Sequence, residues 1–143
     1  MPDKRVAADR LRRLAARART LALFYLTALF VATHIPLPNG SLSSSDKLYH
    51  FGGYAALTLC VLAGWELSIG LLQAKHYFAV WLVGVLYGAF DEITQIPVGR
   101  QCDANDWMAD VLGVVAGLIA FRLFRKAYYW VLAGGKSLSL GKP

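Results

Sequence analysis

The chain has 143 residues, of which 57% are hydrophobic, and its mean hydropathy is +0.44. A chain of this length forms one domain, and this composition excludes an ordinary soluble one. The net charge of +6 comes from 15 Lys and Arg against 9 Asp and Glu. Because basic residues beside apolar segments orient membrane proteins, we interpret this excess as a topology signal and predict no nucleic-acid partner.

Four apolar stretches follow one another along the chain, and a transmembrane helix needs about 20 largely apolar residues. We place the four helices at 20–35, 48–65, 77–96 and 107–124. A basic cytoplasmic arm, 1–19, precedes them, and an interfacial and cytoplasmic tail, 127–143, follows. The predicted fold is therefore all-α: a polytopic membrane protein whose residues 20–126 form a compact bundle of four transmembrane helices in the lipid bilayer.

The basic residues divide unequally between the two sides of such a bundle. Thirteen of the fifteen fall on the side that holds both termini, and only Lys47 and Arg100 fall on the other. The positive-inside rule then places both termini in the cytoplasm, in a multi-pass protein of the cytoplasmic (inner) membrane. A cleaved signal peptide is the alternative for the first helix, but no small-residue cleavage motif follows Phe30, so we predict an uncleaved anchor.

The first two helices meet on the non-cytoplasmic side. Pro36 and Pro38 are predicted to end the first helix, because proline cannot continue one. His34 lies at this edge, where we predict an interfacial polar group rather than a ligand. The second helix opens with Asp46, predicted to cap it, and carries His50 one turn deeper. A histidine at that depth needs a polar partner.

A tight turn at Pro97 and Gly99 separates the third helix from the fourth. Both helices carry glycines at helical spacing, and small residues at such spacing let helices approach closely in lipid. We therefore predict that these glycines line helix contacts, and that Gly88→Leu or Gly113→Leu lowers thermal stability far more than Val114→Leu. The glycines are Gly84, Gly88, Gly113 and Gly117.

Acidic residues lie near the turn on both of these helices. Asp91 and Glu92 are adjacent and point roughly 100° apart on a helix, so at least one of them faces the bundle. Asp106 fits a helix cap and a site role equally well, whereas Asp110 lies too deep to be a cap.

Ten polar residues from three helix ends and one turn converge in this arrangement. Carboxylates with a histidine could hold a divalent metal ion, and a histidine beside a carboxylate could act as a general acid or base. The two cations could bind an anionic headgroup or phosphate. A buried hydrogen-bonded network that only ties the helices together is the alternative. The candidate ligand-binding residues are Asp46, Lys47, His50, Tyr54, Asp91, Glu92, Gln95, Arg100, Asp106 and Asp110, and the catalytic candidates among them are His50, Asp91, Glu92 and Asp110.

Three segments of the chain resemble the VanZ-like family of bacterial membrane proteins. They are D-K-L-Y-H-F-G-G-Y at 46–54, Y-G-A-F-D-E-I-T-Q at 87–95 and R-Q-C-D-A-N-D-W-M-A-D-V-L-G at 100–113. The resemblance implies a compact four-helix membrane domain whose recurrent polar positions are all ten candidates except Tyr54. Two features depart from the family pattern. Thr94 stands where relatives often have His, and the turn from Gln95 to Arg100 is slightly shorter.

The namesake of this family is associated with resistance to the glycopeptide teicoplanin. The resemblance therefore implies a cell-envelope protein that binds a cell-wall or lipid-related ligand at an acidic, outward-facing pocket and affects glycopeptide sensitivity. A membrane-embedded enzyme acting on a lipid-linked or phosphate-bearing substrate is the first alternative, and a structural or interaction subunit of the membrane is the second. The sequence predicts no oligomeric state.

Overall fold

Four α-helices run in sequence through the computed structural model, which describes residues 4–35 and 44–134. They are α1 (Lys4–Thr33), α2 (Ser44–Ile69), α3 (Ala74–Gln95) and α4 (Ala104–Leu132), and a 3₁₀ turn (Ile96–Val98) follows α3. Every regular element within these two ranges is helical. Each of the four helices is long and apolar enough to cross a membrane, so the predicted all-α, multi-pass fold is confirmed.

All four helices are longer than predicted, and the first and the last exceed the prediction most. α1 begins at Lys4, so most of the basic arm is the first half of the same helix that carries the apolar stretch. Ala, Arg and Leu dominate the arm, and all three favour helix strongly. α4 continues to Leu132 and so includes the start of the predicted tail. Pro36 and Pro38, predicted to end the first helix, and the tail beyond 134 lie outside the described residues.

The 3₁₀ turn and a glycine separate α3 from α4, as the sequence predicts. Gly99 has a φ of 79°, in the left-handed region that favours glycine, and its N–H donates to the carbonyl of Ile96 at 3.1 Å. The side chain of Asp103 then caps α4 by accepting a hydrogen bond from the backbone N–H of Asn105 at 2.8 Å. The end of α3 and the start of α4 are therefore held close together.

α2 is the central helix of the bundle and packs chiefly against α4 and α1. Its approach to α4 is close because α4 presents glycines to it. A Cβ on Gly113 would collide with the carbonyl oxygen of Phe51, and a Cβ on Gly117 would lie 2.7 Å from the carbonyl oxygen of Ala55. Both obstacles are backbone atoms, so the two helices can pack at this distance only with glycine at these positions.

α3 packs chiefly against α4, and its own glycines face that helix. A Cβ on Gly84 would lie 2.7 Å from Val114 Cγ2, and one on Gly88 would lie 3.2 Å from Asp110 Cβ. All four glycines thus line helix contacts, as predicted. Val114, however, is only 1% exposed. Its side chain fills the space that Gly84 leaves, and the smaller effect expected for Val114→Leu than for leucine at Gly88 or Gly113 stays a prediction.

Large apolar side chains cover much of the exterior of the bundle, and its buried acidic residues gather at one end. Phe24 is 72% exposed, and large apolar side chains are exposed along all four helices. An apolar exterior of this extent suits a lipid environment. We call the end where α1 and α3 finish and α2 and α4 begin the polar end. Near the opposite end, Arg125 of α4 pairs with Glu66 of α2 at 3.1 Å.

Candidate functional site

Side chains from all four helices meet at the polar end. Their convergence follows from the fold, because two helices finish there, two begin there, and the turn after α3 closes over them. Hydrogen bonds and ion pairs join these residues into one group, which we call the polar cluster. It consists of Thr33, His34, Asp46, Lys47, His50, Asp91, Glu92, Thr94, Gln95, Arg100, Asp103, Asp106 and Asp110. The Asp46–Arg100 pair connects to the other residues through the backbone N–H of Arg100, which donates to the carbonyl of Gln95 at 3.2 Å.

His50 and Asp110 form the most deeply buried pair of the polar cluster. They are 1% and 0% exposed, and His50 Nδ1 lies 2.9 Å from Asp110 Oδ1. Glu92 Oε1 lies 3.8 Å from the same nitrogen. When Asp110 is ionised it can only accept this bond, so Nδ1 carries the proton, and a neutral His50 then keeps its lone pair on Nε2. Asp110 is therefore the polar partner that the depth of His50 requires.

Asp91 joins α1 to α3. Its Oδ1 accepts a hydrogen bond from the hydroxyl of Thr33 at 3.1 Å, and its Oδ2 accepts one from Gln95 Nε2 at 3.4 Å. His34 Nδ1 lies 3.8 Å from Asp91 Oδ1, and the other ring nitrogen of His34 lies 3.0 Å from Thr94 Oγ1. The histidine predicted as an interfacial group thus also has partners on α3.

Glu92 ties α3 to the segment before α4. Its Oε1 accepts a hydrogen bond from Gln95 Nε2 at 3.2 Å, and its Oε2 accepts one from the backbone N–H of Asp103 at 2.9 Å. Glu92 is 2% exposed and Asp91 is 1% exposed. Both of the adjacent acids therefore face the bundle, where the sequence required only one of them to do so.

The two cations of the polar end are paired with carboxylates. Lys47 Nζ lies 3.0 Å from Asp106 Oδ1 and 3.3 Å from Asp103 Oδ2. A guanidinium nitrogen of Arg100 donates to Asp46 Oδ2 at 2.8 Å. These ion pairs join the start of α2 to the start of α4 and to the turn after α3, and they leave neither cation without a countercharge.

The helix caps differ from those that the sequence favoured. Asp103 caps α4, and the N–H of Asn105 together with the ammonium of Lys47 holds the pKa of the Asp103 carboxyl below its usual range. Asp106 lies inside the first turn of α4, so the capping role left open for it is wrong. Asp46 likewise lies inside the first turn of α2 and is not its cap, although its charge still favours a helix N-terminus.

Three buried carboxylates of the polar cluster have no cationic side chain opposite them. Within residues 4–35 and 44–134, Asp91, Glu92 and Asp110 form no ion pair with Lys or Arg. The ionisable groups paired with them are His34 and His50. An ionised carboxylate buried without a countercharge is costly. The cluster therefore needs protons, a positively charged ligand group or a metal ion.

An apolar cavity of about 300 Å³ adjoins the polar cluster. It is lined by all four helices, and Tyr54, one turn along α2 from His50, forms its boundary with the cluster. Tyr54 is 1% exposed, and its hydroxyl has no hydrogen-bond partner among the described residues. The rest of the lining includes Ala22, Leu26, Leu57, Val61, Val83 and Tyr87.

Nine of the ten predicted site residues lie in the polar cluster, and Tyr54 lies beside it. The sequence did not reveal the roles of Thr33, Thr94 or Asp103. A hydroxyl side chain near a helix end gives no distinctive pattern, so the two threonines had no signal. Asp103 had one, because an aspartate just before an apolar helical stretch is a preferred N-cap.

Comparisons with known proteins bear on the chain as a whole. The family model described as VanZ/LLP1 matches residues 13–125, which include the whole polar cluster and most of each of the four helices. Neither the comparison with curated proteins nor that with solved structures found a match. The family match covers well over half of the chain, and the chain therefore belongs to the VanZ/LLP1 family.

Proposed function

We propose that this VanZ/LLP1-family membrane protein binds an amphiphilic, lipid-related ligand of the cell envelope and thereby affects sensitivity to glycopeptides such as teicoplanin. The hydrocarbon chain of the ligand occupies the apolar cavity, and its polar head meets the polar cluster. In this proposal the cluster faces away from the cytoplasm, as the distribution of basic residues predicts.

The position of Tyr54 between the cavity and the polar cluster carries the proposal. Ligand sites are typically apolar pockets of roughly 300–1,000 Å³ with a few convergent polar groups. The cavity has a volume of about 300 Å³ and a lining that is almost wholly apolar. At its boundary Tyr54 has a buried hydroxyl without a partner among the described residues. A chain in the cavity would place its head where hydrogen-bonding groups are concentrated.

The charge of the polar cluster restricts the chemistry of that head. Lys47 and Arg100 are already paired with carboxylates, which weakens the predicted role of these two cations in gripping an anionic group. Asp91, Glu92 and Asp110 remain without a cationic partner in the described chain. Carboxylates accept hydrogen bonds and do not donate them. The head that suits them carries donors: an ammonium, amide or hydroxyl group.

Filling the cavity tests this proposal. Ala22 lines the cavity from α1, and Ala22→Trp should occupy it without disturbing the tightly packed α2–α4 contact. We expect cells that make Ala22→Trp to show the teicoplanin sensitivity of cells that lack the protein. We also expect the purified variant to retain less lipid than the parent, as measured by mass spectrometry of the detergent extract.

The neighbouring residue supplies the matched control. Leu21 is 62% exposed and does not line the cavity, so Leu21→Trp adds the same ring on the lipid-facing side. This variant should keep both the cellular effect and the retained lipid. If Ala22→Trp and Leu21→Trp behave alike at equal expression, the cavity is not the ligand site.

A membrane-embedded enzyme is the second candidate, and the His50–Asp110 pair favours it. A carboxylate at 2.9 Å from Nδ1 fixes the ring and leaves Nε2 free to accept a proton, as in a general base. His50→Gln separates the two candidates. An enzyme should lose its cellular effect while still retaining lipid, whereas a binding protein that uses His50 as a contact should lose both together.

A further inference from the structure

A group of three buried ligand-type side chains lies at the centre of the polar cluster. His50, Asp91 and Glu92 each offer one nitrogen or oxygen atom, and these three atoms lie within 4.8 Å of one another. All three residues are at most 2% exposed. We propose that His50, Asp91 and Glu92 bind a divalent metal ion of the Mn²⁺ or Zn²⁺ type. The ion shares Asp91 and Glu92 with the head group of the proposed ligand and would itself supply positive charge there, but the binding test needs only the protein and the ion.

Unpartnered buried atoms on His50 and on its hydrogen-bond partner Asp110 give the second reason. His50 Nε2 and Asp110 Oδ2 are buried and have no hydrogen-bond partner among the described residues. Buried polar atoms are nearly always bonded, so two such atoms on one hydrogen-bonded pair need an explanation. When His50 is neutral and its Nδ1–H donates to Asp110, Nε2 carries the lone pair of the ring. Neutral imidazole is the form of histidine that binds metals.

His50 belongs to two groups of candidate metal ligands, and the charges of the neighbouring residues favour one of them. His50 also forms a second such group with Asp46 and Asp106, whose candidate ligand atoms likewise lie within 4.8 Å of one another. Those two carboxylates are already paired with Arg100 at 2.8 Å and with Lys47 at 3.0 Å, respectively. Asp91 and Glu92 have no such partner within the described chain. A divalent ion therefore gains more electrostatic stabilisation from the group that contains Asp91 and Glu92 than from the group that contains Asp46 and Asp106.

The remaining bonds of the two carboxylates are compatible with a metal. Asp91 accepts from Thr33 and Gln95, and Glu92 accepts from Gln95 and the backbone N–H of Asp103. Each carboxylate has about four lone-pair sites, so two hydrogen bonds leave others for an ion. These bonds also hold the carboxylate planes in place, as neighbours of metal ligands commonly do.

The donor set indicates the class of ion. One imidazole nitrogen with two carboxylates suits Mn²⁺ or Zn²⁺, whereas Ca²⁺ takes six to eight oxygen ligands. The absence of a thiol from the group disfavours the softer Cu(I). Asp110 would act as a positioning residue, since a carboxylate bonded to the second nitrogen orients a metal-binding histidine and raises its basicity.

Metal titration of the full chain in detergent tests the proposal. After treatment with a chelator, the protein is titrated with MnCl₂ or ZnCl₂, and bound metal is measured after desalting. We expect one ion per chain and a higher melting temperature with metal, because a ligand that binds only the folded state stabilises it. Bound Mn²⁺ should show pulsed-EPR coupling to an imidazole nitrogen, a readout that requires no variant to fold.

Variants then locate the ion. Asp91→Asn and Glu92→Gln should lose stoichiometric metal binding. Asp110→Asn should lower the metal affinity by about 10- to 100-fold, as substitution of residues that orient metal ligands typically does. Asp46→Asn should keep the parent affinity, since Asp46 belongs to the other group. Glu66→Gln, an acid paired with Arg125 near the opposite end, is the general control and should also keep it.

Three results would overturn the proposal. The first is that the parent protein binds neither Mn²⁺ nor Zn²⁺ stoichiometrically. The second is bound Mn²⁺ without nitrogen coupling. The third is loss of the ion in Asp46→Asn with retention in Asp91→Asn, which would move it to the other group. The lipid proposal fails separately, through equal behaviour of Ala22→Trp and Leu21→Trp.

Discussion

The hydrogen bonds of Asp91 do not require its charge. Thr33 and Gln95 donate to its two oxygens, at 3.1 and 3.4 Å. An amide at this position can accept from Gln95 with its oxygen and donate to Thr33 Oγ1 with its nitrogen, because a hydroxyl both donates and accepts. Asp91→Asn therefore keeps the shape and the bonding capacity of the residue and removes only the negative charge.

This substitution distinguishes a functional site from a purely structural network. We expect Asp91→Asn to abolish the effect on teicoplanin sensitivity while the melting temperature in detergent, measured after treatment with a chelator, changes little. We expect the same of Asp110→Asn. Asp9→Asn, at an exposed position of α1, is the comparison and should leave both measurements unchanged. A folded Asp91→Asn protein with its full cellular effect would assign the polar cluster to tying the helices together.

At the level of helices, the closest contact is that of α2 with α4. It depends on two glycines of α4 that lie against the α2 backbone, at Phe51 and Ala55. Backbone atoms of a helix cannot move aside as a flexible side chain can. Even a methyl group at these positions must therefore push the two helices apart, and with them His50 on α2 and Asp110 on α4.

Two alanine substitutions measure how tightly α2 and α4 pack. Gly113→Ala should destabilise the protein by about 2 kcal/mol, as overpacked cores typically are. Gly52→Ala, in α2 with nothing within 4 Å of the added Cβ, should be neutral or stabilise by about 0.5–1 kcal/mol, since alanine favours helix over glycine. Thermal unfolding in detergent measures both. Equal effects at the two positions would mean that the α2–α4 contact is looser than the structure shows.

The sequence predicted the helices and the members of the polar cluster better than it predicted their hydrogen-bond partners. Apolar stretches fixed the number of helices, and the spacing of Asp91, Glu92 and Asp110 placed them at one end. The bond of His34 to Thr94 joins residues 60 positions apart, and no local pattern encodes such a pair. The cavity was not predicted either, because it depends on how α1 and α3 are spaced over α2 rather than on any one helix.

For the whole molecule, the orientation in the membrane stays a prediction that a thiol reagent can test. Both cysteines are free; Cys102 is exposed in the turn at the polar end, and Cys60 lies within α2. A membrane-impermeant reagent should label Cys102 in intact spheroplasts and leave Cys60 unlabelled. Labelling of Cys102 only after the membrane is opened would reverse the orientation and place the polar cluster on the cytoplasmic side.

A cysteine at the opposite end completes this experiment. Lys75 is exposed at the start of α3, so Lys75→Cys in a Cys102→Ser background should be labelled only in opened membranes. This control shows that the reagent reaches thiols at that end once it has access to them.

The helices that line the cavity determine how any occupant reaches it. α1 and α3 both line the cavity, whereas the hydrogen bonds that join these two helices lie at the polar end. We therefore expect an occupant to enter between α1 and α3 from the surrounding bilayer, without crossing water. Its occupancy would then depend on its mole fraction among the lipids and not on its bulk concentration. Diluting proteoliposomes with buffer should leave the cavity as full as before, whereas fusing them with inert lipid should empty it.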